Sequence, residues 1–369
     1  MADDRKIVAG IDIGAGSGTK IGILDLDCQV IGESVLPIKR YGENAQTLVS
    51  RVCQIVRELV AGNVGTHLCA VGVGSPGTVK ADGMLRSACN LPFLADADLS
   101  NMFAKELGVP AVLINDADAG ALAEWYVHKI ELLYWVFGGG WGGAWVSADG
   151  EIRFSSRGWD GNETRLHYTN EPGFATPLQK RMLEQIFAAA GLCFKDCEKR
   201  CAADNGLATP FVGPAGKTGA VRAELFVSGT GRWRIFREFA LRDETYKTGL
   251  SSEEIAELER PETAGRIIDK LGYTGTGVAV RTDKLFGAIL AEAAMVILHQ
   301  ATDDGCPDGV PIFLAGKPSR ALPLFGSFAR KEMLARGIEN KLYPSKVEAN
   351  AHDPNMIGAA VMAARLLAQ

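Results

Sequence analysis

One pattern constrains this chain more than any other, because it occurs twice. An apolar run from Lys6 to Ile13 ends in the glycine-rich turn Gly14-Ala15-Gly16-Ser17-Gly18-Thr19-Lys20. Two further runs follow, Ile21 to Asp25 and Val30 to Leu36, joined near Asp27. From Leu132 the order returns: Leu132 to Phe137, the turn Gly138-Gly139-Gly140-Trp141-Gly142-Gly143, Ala144 to Ser147, an Asp149-Gly150 turn, and Ile152 to Phe154. Short apolar runs bounded by turn residues read as strands, so each copy is an antiparallel meander with a glycine hairpin at its first corner. Two copies of one unit imply two similar domains facing each other across a cleft, with the boundary near Trp125 to Glu131.

A glycine turn lets the backbone approach a polyphosphate closely and point several N–H groups at it. Taken singly, such a hairpin is an ordinary tight turn. Two of them, with a strand-end carboxylate between and a third glycine turn at Ala315-Gly316-Lys317-Pro318-Ser319, read as a nucleotide cleft.

That carboxylate lies in the stretch Val112-Leu113-Ile114-Asn115-Asp116-Ala117-Asp118-Ala119, which continues through alanine-rich sequence to Glu124. An apolar run after Pro110 stops at an Asn-Asp pair and passes into helix-favouring residues, which makes a strand-to-helix junction. In open α/β sheets ligands sit at such carboxyl ends of strands. Asp116 at the helix start is either an N-cap or a reacting carboxylate, and this stretch alone leaves both readings open. Asn115, Asp116 and Asp118 together are more short polar side chains than one cap requires.

Elsewhere, helical spacing runs from Ala45 to Leu59, a strand from Leu68 to Val73 opens into Gly74-Ser75-Pro76-Gly77-Thr78, and a helix from Leu99 to Leu107 follows the Asn90-Leu91-Pro92 loop. An amphipathic helix from Asp283 to His299 leads to a strand at Pro311 to Leu314. The last helix, Pro354 to Leu367, is expected to pack back on the first domain. Residues 190–280 are the least legible, with loops around Pro210 to Gly219, a strand at Leu225 to Ser228, and helices at Ser252 to Leu258 and Thr263 to Leu271.

A chain of 369 residues is long enough for two domains. Its net charge of −5 argues against a nucleic-acid partner. No apolar run approaches the roughly 18 residues of a membrane helix, so no membrane partner is expected. The charged start, Met1 to Lys6, lacks a signal peptide's apolar segment, which places the protein in the cytoplasm. The eight scattered cysteines are expected to be reduced thiols.

These residues together resemble the ROK family of sugar kinases, within the actin and hexokinase superfamily. The motif Asp12-Ile13-Gly14 through Thr19-Lys20 is similar to the family's first phosphate motif and Gly138 to Gly143 to its second. Val71 to Thr78 and Asn90-Leu91-Pro92 resemble its sugar-side loops, and Asn115-Asp116-Ala117-Asp118-Ala119 its catalytic segment. Ala315-Gly316 and Asn355 to Ala360 resemble the adenosine-side elements. The Asn-Asp-Ala-Asp-Ala wording is similar to that of polyphosphate/ATP glucokinases.

The resemblance implies an α/β, two-domain actin-like ATPase (ribonuclease H-like) fold with a central cleft. Residues 1–125 and 354–369 would form a sugar and phosphate domain, and 126–353 a nucleotide-binding domain with a divergent insertion at about 190–280. It further implies transfer of the γ-phosphate of ATP to a hexose hydroxyl, glucose foremost, with Asp116 as general base. Asn90, Asn115, Glu163 and His167 would bind the sugar, the last two by a loose match to the family's Gly-Glu-x-Gly-His motif. Asp12 would orient magnesium through water, with Gly14, Thr19 and Lys20 near the phosphates. Gly138, Gly139, Gly140 and Gly316 would hold the rest of the donor, which is ATP or polyphosphate. A homodimer is expected.

Three departures stand out. The amino-terminal turn is longer than the family's Gly-Gly-Thr-Lys, Gly139 stands where the family commonly has threonine, and the zinc motif is absent in its usual form. Cys193, Cys197 and Cys201, four apart, are enough with His167 for four zinc ligands. The same spacing is what a helix with small buried residues shows, and zinc is not expected. Gly213-Pro214-Ala215-Gly216-Lys217-Thr218 imitates a P-loop, but Phe211 stands where its first glycine belongs, so it reads as a loop. The rival reading is a sugar-binding regulatory pseudo-kinase that kept the cleft and lost turnover. Regulators of the family carry an amino-terminal DNA-binding segment, and this chain begins at its first strand.

Overall fold

The computed structural model describes residues 5–16, 18–38, 42, 44–79, 83–88, 91–138, 140–155, 173–174, 176–204, 211–212, 218–347 and 352–368. The chain forms two compact units. One comprises Met1–Tyr134, Gly143–His167 and Ser345–Gln369, and the other Trp135–Gly142 and Tyr168–Pro344.

In the first unit, β1 (Arg5–Asp12), β2 (Thr19–Asp25) and β3 (Val30–Leu36) form the meander expected from the sequence. β4 (Thr66–Ser75) runs parallel to β1, a small hairpin of β5 (Thr78–Val79) and β6 (Leu85–Ser87) follows, and β7 (Ala111–Asn115) runs parallel to β4. The sheet order is β3-β2-β1-β4-β7.

Alternation along β1 decides what lies on each face. Ala9, Ile11 and Ile13 join a core with Leu48, Val49, Val52 and Val56 of α1 (Ala45–Ala61) and Leu99 and Phe103 of α2 (Leu99–Leu107). Each valine, leucine, isoleucine or phenylalanine among them is worth about 1.5–3 kcal/mol when fully buried, so this layer, rather than helix propensity, holds α1 in place. Val8 faces the other way, into a core with Ala360, Val361 and Ala363 of α11 (Pro354–Leu366). The last helix does pack back on the first unit.

Glycine allows that return. A Cβ on Gly72 would lie 1.7 Å from the Ala359 carbonyl oxygen, and one on Gly358 would lie 1.6 Å from that of Ala119 in α3 (Asp116–His128).

A second five-stranded sheet contains β8 (Leu132–Phe137), β9 (Trp141–Val146) and β10 (Ile152–Arg153), the second meander. The Gly138 turn is shorter than the sequence suggests, because β9 begins at Trp141 rather than Ala144. Trp141 is buried and packs edge-on at 5.3 Å against Trp135, which draws its backbone into the strand. Residues Gly173–Phe174, Phe211–Val212 and Thr218–Arg222 make β11, β12 and β13 of a separate sheet ordered β11-β13-β12. β14 (Ile312–Ala315) and β15 (Leu342–Pro344) complete the second five-stranded sheet, in the order β10-β9-β8-β14-β15.

Helices dominate the rest of the second unit: α4 (Pro177–Ala189), α5 (Phe194–Asp204), α6 (Gly229–Ala240), α7 (Ser252–Leu258), α8 (Ala264–Tyr273), α9 (Gly277–Asp303) and α10 (Leu322–Ala335). Phe286 of α9 meets Phe137 at 6.4 Å and Phe325 at 4.9 Å, both edge-on. α7 and α8 match the sequence reading. Leu225 to Ser228 does not form the expected strand. Ala223–Leu225 is a 3-10 turn, Phe226 packs on Phe187 at 5.0 Å, and Ser228 caps α6 through the Gly231 N–H at 3.0 Å. α9 also corrects an expectation, since by length and composition it is long and apolar enough to cross a membrane. Most of that stretch is buried within the protein, as in a core helix.

Candidate active site

Three parallel strands end side by side in the first unit. Asp12 lies opposite Gly74, and Ser75 opposite Asn115, so the ends of β1 and β7 flank that of β4. At ordinary strand spacing β1 and β7 are about 10 Å apart. Lys20, at the start of β2, pairs with Asp12 in the antiparallel ladder and returns to the same end.

Asp12 is buried there. Its Oδ2 accepts from Lys20 Nζ at 3.0 Å and its Oδ1 from Asn355 Nδ2 at 3.3 Å. Lys20 Nζ also lies 3.5 Å from Asp353, whose Oδ1 caps α11 through the Met356 N–H at 3.0 Å. Burial and the charge of Asp353 push the Asp12 carboxyl up to about 7; Lys20 pulls it down and Asp116 adds to the rise. Burial works against the charge on Lys20, but Asp12 and Asp353 outweigh it and its pKa is raised. Gly14 closes the turn so tightly that a Cβ there would lie 2.5 Å from the Gly18 carbonyl oxygen, and Thr19 is fully buried.

At the start of α3 both Asn115 and Asp116 accept from backbone N–H groups, and the larger share falls to Asn115. The capping residue of α3 is Asn115: its Oδ1 accepts from the N–H groups of Ala117 at 2.9 Å and Asp118 at 3.3 Å, and its Nδ2 donates to the Gly77 carbonyl at 2.9 Å. Asp116 is the first helical residue, half-buried, and its Oδ1 also accepts from the Ala117 N–H at 2.9 Å. The fold thus takes its cap from the neighbour and sets the Asp116 carboxylate at the positive end of α3.

In the second unit the Gly138 N–H donates to the Gly140 carbonyl at 3.0 Å, and the Gly138 carbonyl accepts from Gly229, at the start of α6, at 2.9 Å. Gly316 has φ +85°, and a Cβ on it would lie 2.1 Å from the Phe137 carbonyl oxygen, so both glycine turns of this unit adjoin the end of β8. Glu224 was not singled out in the sequence. Its Oε2 accepts from the Trp141 N–H at 3.4 Å and covers Gly140, where a Cβ would meet it at 2.5 Å. Its only signal was its place just before the Ser228 cap.

Asn90, Glu163, His167, Gly139 and the Gly213 to Lys217 stretch lie outside the described residues. Of the three spaced cysteines, Cys193 is exposed and Cys197 is buried with its Sγ 3.5 Å from Glu238 Oε2; His167 and the Cys201 side chain are again outside the described residues. Among the described residues no group of three His, Cys, Asp or Glu is arranged to hold a metal ion directly.

Comparison with known proteins gives this site its context. Residues 8–165 match the model of the ROK family. Glucokinase of Thermotoga maritima is 27% identical over 119 residues, a match spanning 32% of this chain and 36% of that enzyme. A ROK family glucokinase from Streptomyces griseus, in complex with glucose and AMPPNP, superposes with a TM-score of 0.64 at 17% identity, covering 97% of this chain and 99% of that one. A ROK family transcriptional regulator, a homologue of the E. coli MLC protein, superposes with a TM-score of 0.66 at 16% identity, covering 99% of this chain and 81% of that one. The likeness over nearly the full length shows that the whole chain shares the fold of these two proteins.

Proposed function

From a ROK domain in residues 8–165 and a ROK fold over the whole chain, we propose that this protein is a sugar kinase that transfers the γ-phosphoryl group of ATP to a hexose hydroxyl. The observation that carries the reading is Asp116, a half-buried carboxylate at the strand-to-helix junction, next to the capping residue Asn115 and close enough to Asp12 to raise its pKa.

As general base, Asp116 takes the proton of the sugar hydroxyl while its oxygen attacks the γ-phosphorus and the bond to ADP breaks. Asn115 already spends its oxygen and one amide hydrogen on the fold, so it is the second amide hydrogen that reaches a sugar hydroxyl. Asn90, Glu163 and His167 complete the sugar's partners. Gly14, Thr19 and Lys20 lie near the donor phosphates, and Gly138, Gly139, Gly140 and Gly316 hold the remainder of the donor. Catalysis then rests on positioning and charge neutralisation, as a loose transition state requires.

The residues around Asp12 fit magnesium held through water. The carboxylates Asp12, Asp353 and Asp116 outnumber the one cation among them, Lys20, and such oxygen donors with surplus negative charge suit a hard, strongly hydrated cation. Asp12 would hold it, and it would supply neutralisation of the phosphate charge.

The Thermotoga enzyme's name and the glucose and AMPPNP of the Streptomyces structure support this substrate pair. The second reading, a sugar-binding regulator without turnover, is favoured by the likeness to the transcriptional regulator and by glycine at position 139. A phosphorylation assay over a panel of hexoses, with ATP and with polyphosphate, separates the two. In Asp116→Asn we expect sugar affinity within roughly tenfold of wild type and turnover lower by at least ~10²-fold. Sugar binding without turnover of any sugar by the wild type would establish the regulator instead.

A further inference from the structure

Glu124 is a buried carboxylate that the proposed reaction does not use. It lies on α3, eight residues after Asp116, and has no exposed surface. Its oxygens take the Ser345 hydroxyl at 2.6 Å, the Lys346 N–H at 3.0 Å and the Val347 N–H at 3.5 Å, and His128, one turn further along α3, stands 2.9 Å away. Residues 345–347 are where the chain re-enters the first unit on its way to α11. An interior carboxylate is costly unless donors surround it, and an apolar side chain would fill the same space without that cost. What the carboxylate adds is direction, because only one placement of residues 345–347 against α3 satisfies it.

We propose that Glu124 is a positioning residue: it latches the helix that carries Asp116 to the segment leading into α11, whose first turn holds Asp12 through Asn355 and Lys20 through Asp353. The inference rests on the kinase reading of Asp116 for its catalytic consequence, but the latch itself does not. Helix α3 meets the returning chain at Glu124, through residues 345–347, and meets α11 where Ala119 approaches Gly358, where Gly120 lies against Asn355 and where Arg365 stacks over Trp125. The strands β1, β4 and β7 set Asp12 and Asp116 about 10 Å apart, and the latch adds the seat of α3 against the chain that leads to Asp353 and Asn355. A misplacement of about 1 Å at a reacting group costs on the order of 10²-fold in rate.

Glu124→Gln keeps the shape of the side chain, loses its charge, and turns an amide N–H towards groups that are themselves donors. Ser345→Ala removes one donor and leaves no unpaired charge, so it remains informative if the first variant folds poorly. In the ligand-free full-length protein, we expect amide hydrogen exchange at Lys346 and Val347 to rise at least ~10-fold in Glu124→Gln and by less in Ser345→Ala. In the kinase assay, kcat falls at least ~10-fold in Glu124→Gln with KM for the sugar within about threefold. Adding Glu124→Gln to Asp116→Asn costs no further rate, since the helix then has no base to place; a general loss of structure would add its own penalty. Unchanged exchange at residues 346 and 347 overturns the latch. Raised exchange with an unchanged kcat overturns the positioning role. A wild type that phosphorylates no sugar ends the kinase reading, and exchange alone then decides the latch.

Discussion

Replacing Gly358 by alanine tests the packing on which the first unit depends. The new Cβ would lie 1.6 Å from the Ala119 carbonyl oxygen, whereas ordinary contact begins at 3.4 Å. The difference, 3.4 less 1.6, asks α11 and α3 to part by about 1.8 Å. Excess volume in a packed core costs about 1–3 kcal/mol when side chains can move aside. Here the obstacle is the backbone of a helix, so a loss of at least ~3 kcal/mol is expected. A unit of this size loses about 2–4 °C of Tm per kcal/mol, so the midpoint should fall by roughly 6 °C or more. The retreat also stretches the 3.3 Å bond from Asn355 to Asp12 beyond reach. The control is Gly265→Ala, at an exposed position of α8 with nothing within 4 Å of the new methyl group. There the substitution should stabilise by about 0.5–1 kcal/mol. Thermal and urea unfolding of both variants reads the contrast. If Gly358→Ala unfolds within ~1 kcal/mol of wild type, the close approach of the two helices is not what seats α11.

Two further outcomes follow from charged groups. Burial, with Asp353, raises the Asp12 carboxyl from 3.8 to about 7, so between those values the folded chain keeps a proton that the unfolded chain has lost. This group's contribution to stability is therefore full at the acid end and declines as pH rises to about 7; in urea unfolding, Asp12→Asn should lose less stability than wild type across that window, and equal slopes would count against the shift. In the second unit, buried Arg232 bonds Asp283 at 2.8 Å and also pairs with Asp269. Arg232→Ala should cost about 3–5 kcal/mol by leaving Asp283 unpaired in the interior, and Arg232→Met with Asp283→Leu should cost less; the reverse order in urea midpoints would refute the argument.

The legible parts of this protein are those in which one local rule decides. The apolar run from Lys6 to Ile13 marked a strand, which the structure covers on both faces, and the Asn115-Asp116 pair marked a strand end carrying a helix start. The sequence did not tell which of that pair caps, because both side chains are able to and only the Gly77 carbonyl beside Asn115 decides it. α6 was hidden for a different reason. Its buried face includes Arg232 and Glu238, held by partners distant in the chain, and Arg234, held by the Leu225 carbonyl, so hydrophobic spacing does not reveal it. Glu224 was missed with it, since a carboxylate against the Gly140 turn becomes visible only once α6 is in place. α9 was read too short because its ends, Gly277 and Asp303, lie well beyond its most regular apolar stripe.

The seat of α11 bears on the order in which the chain acquires its structure. β1 and β4 leave the ribosome early, yet the layer that shields their glycine-bearing face is not synthesised until residues 354–366. At roughly 5–20 residues per second, the nascent sheet waits many seconds with that face uncovered. The domain begun first is thus finished last, and the second unit, complete at Pro344, has all its own parts before then.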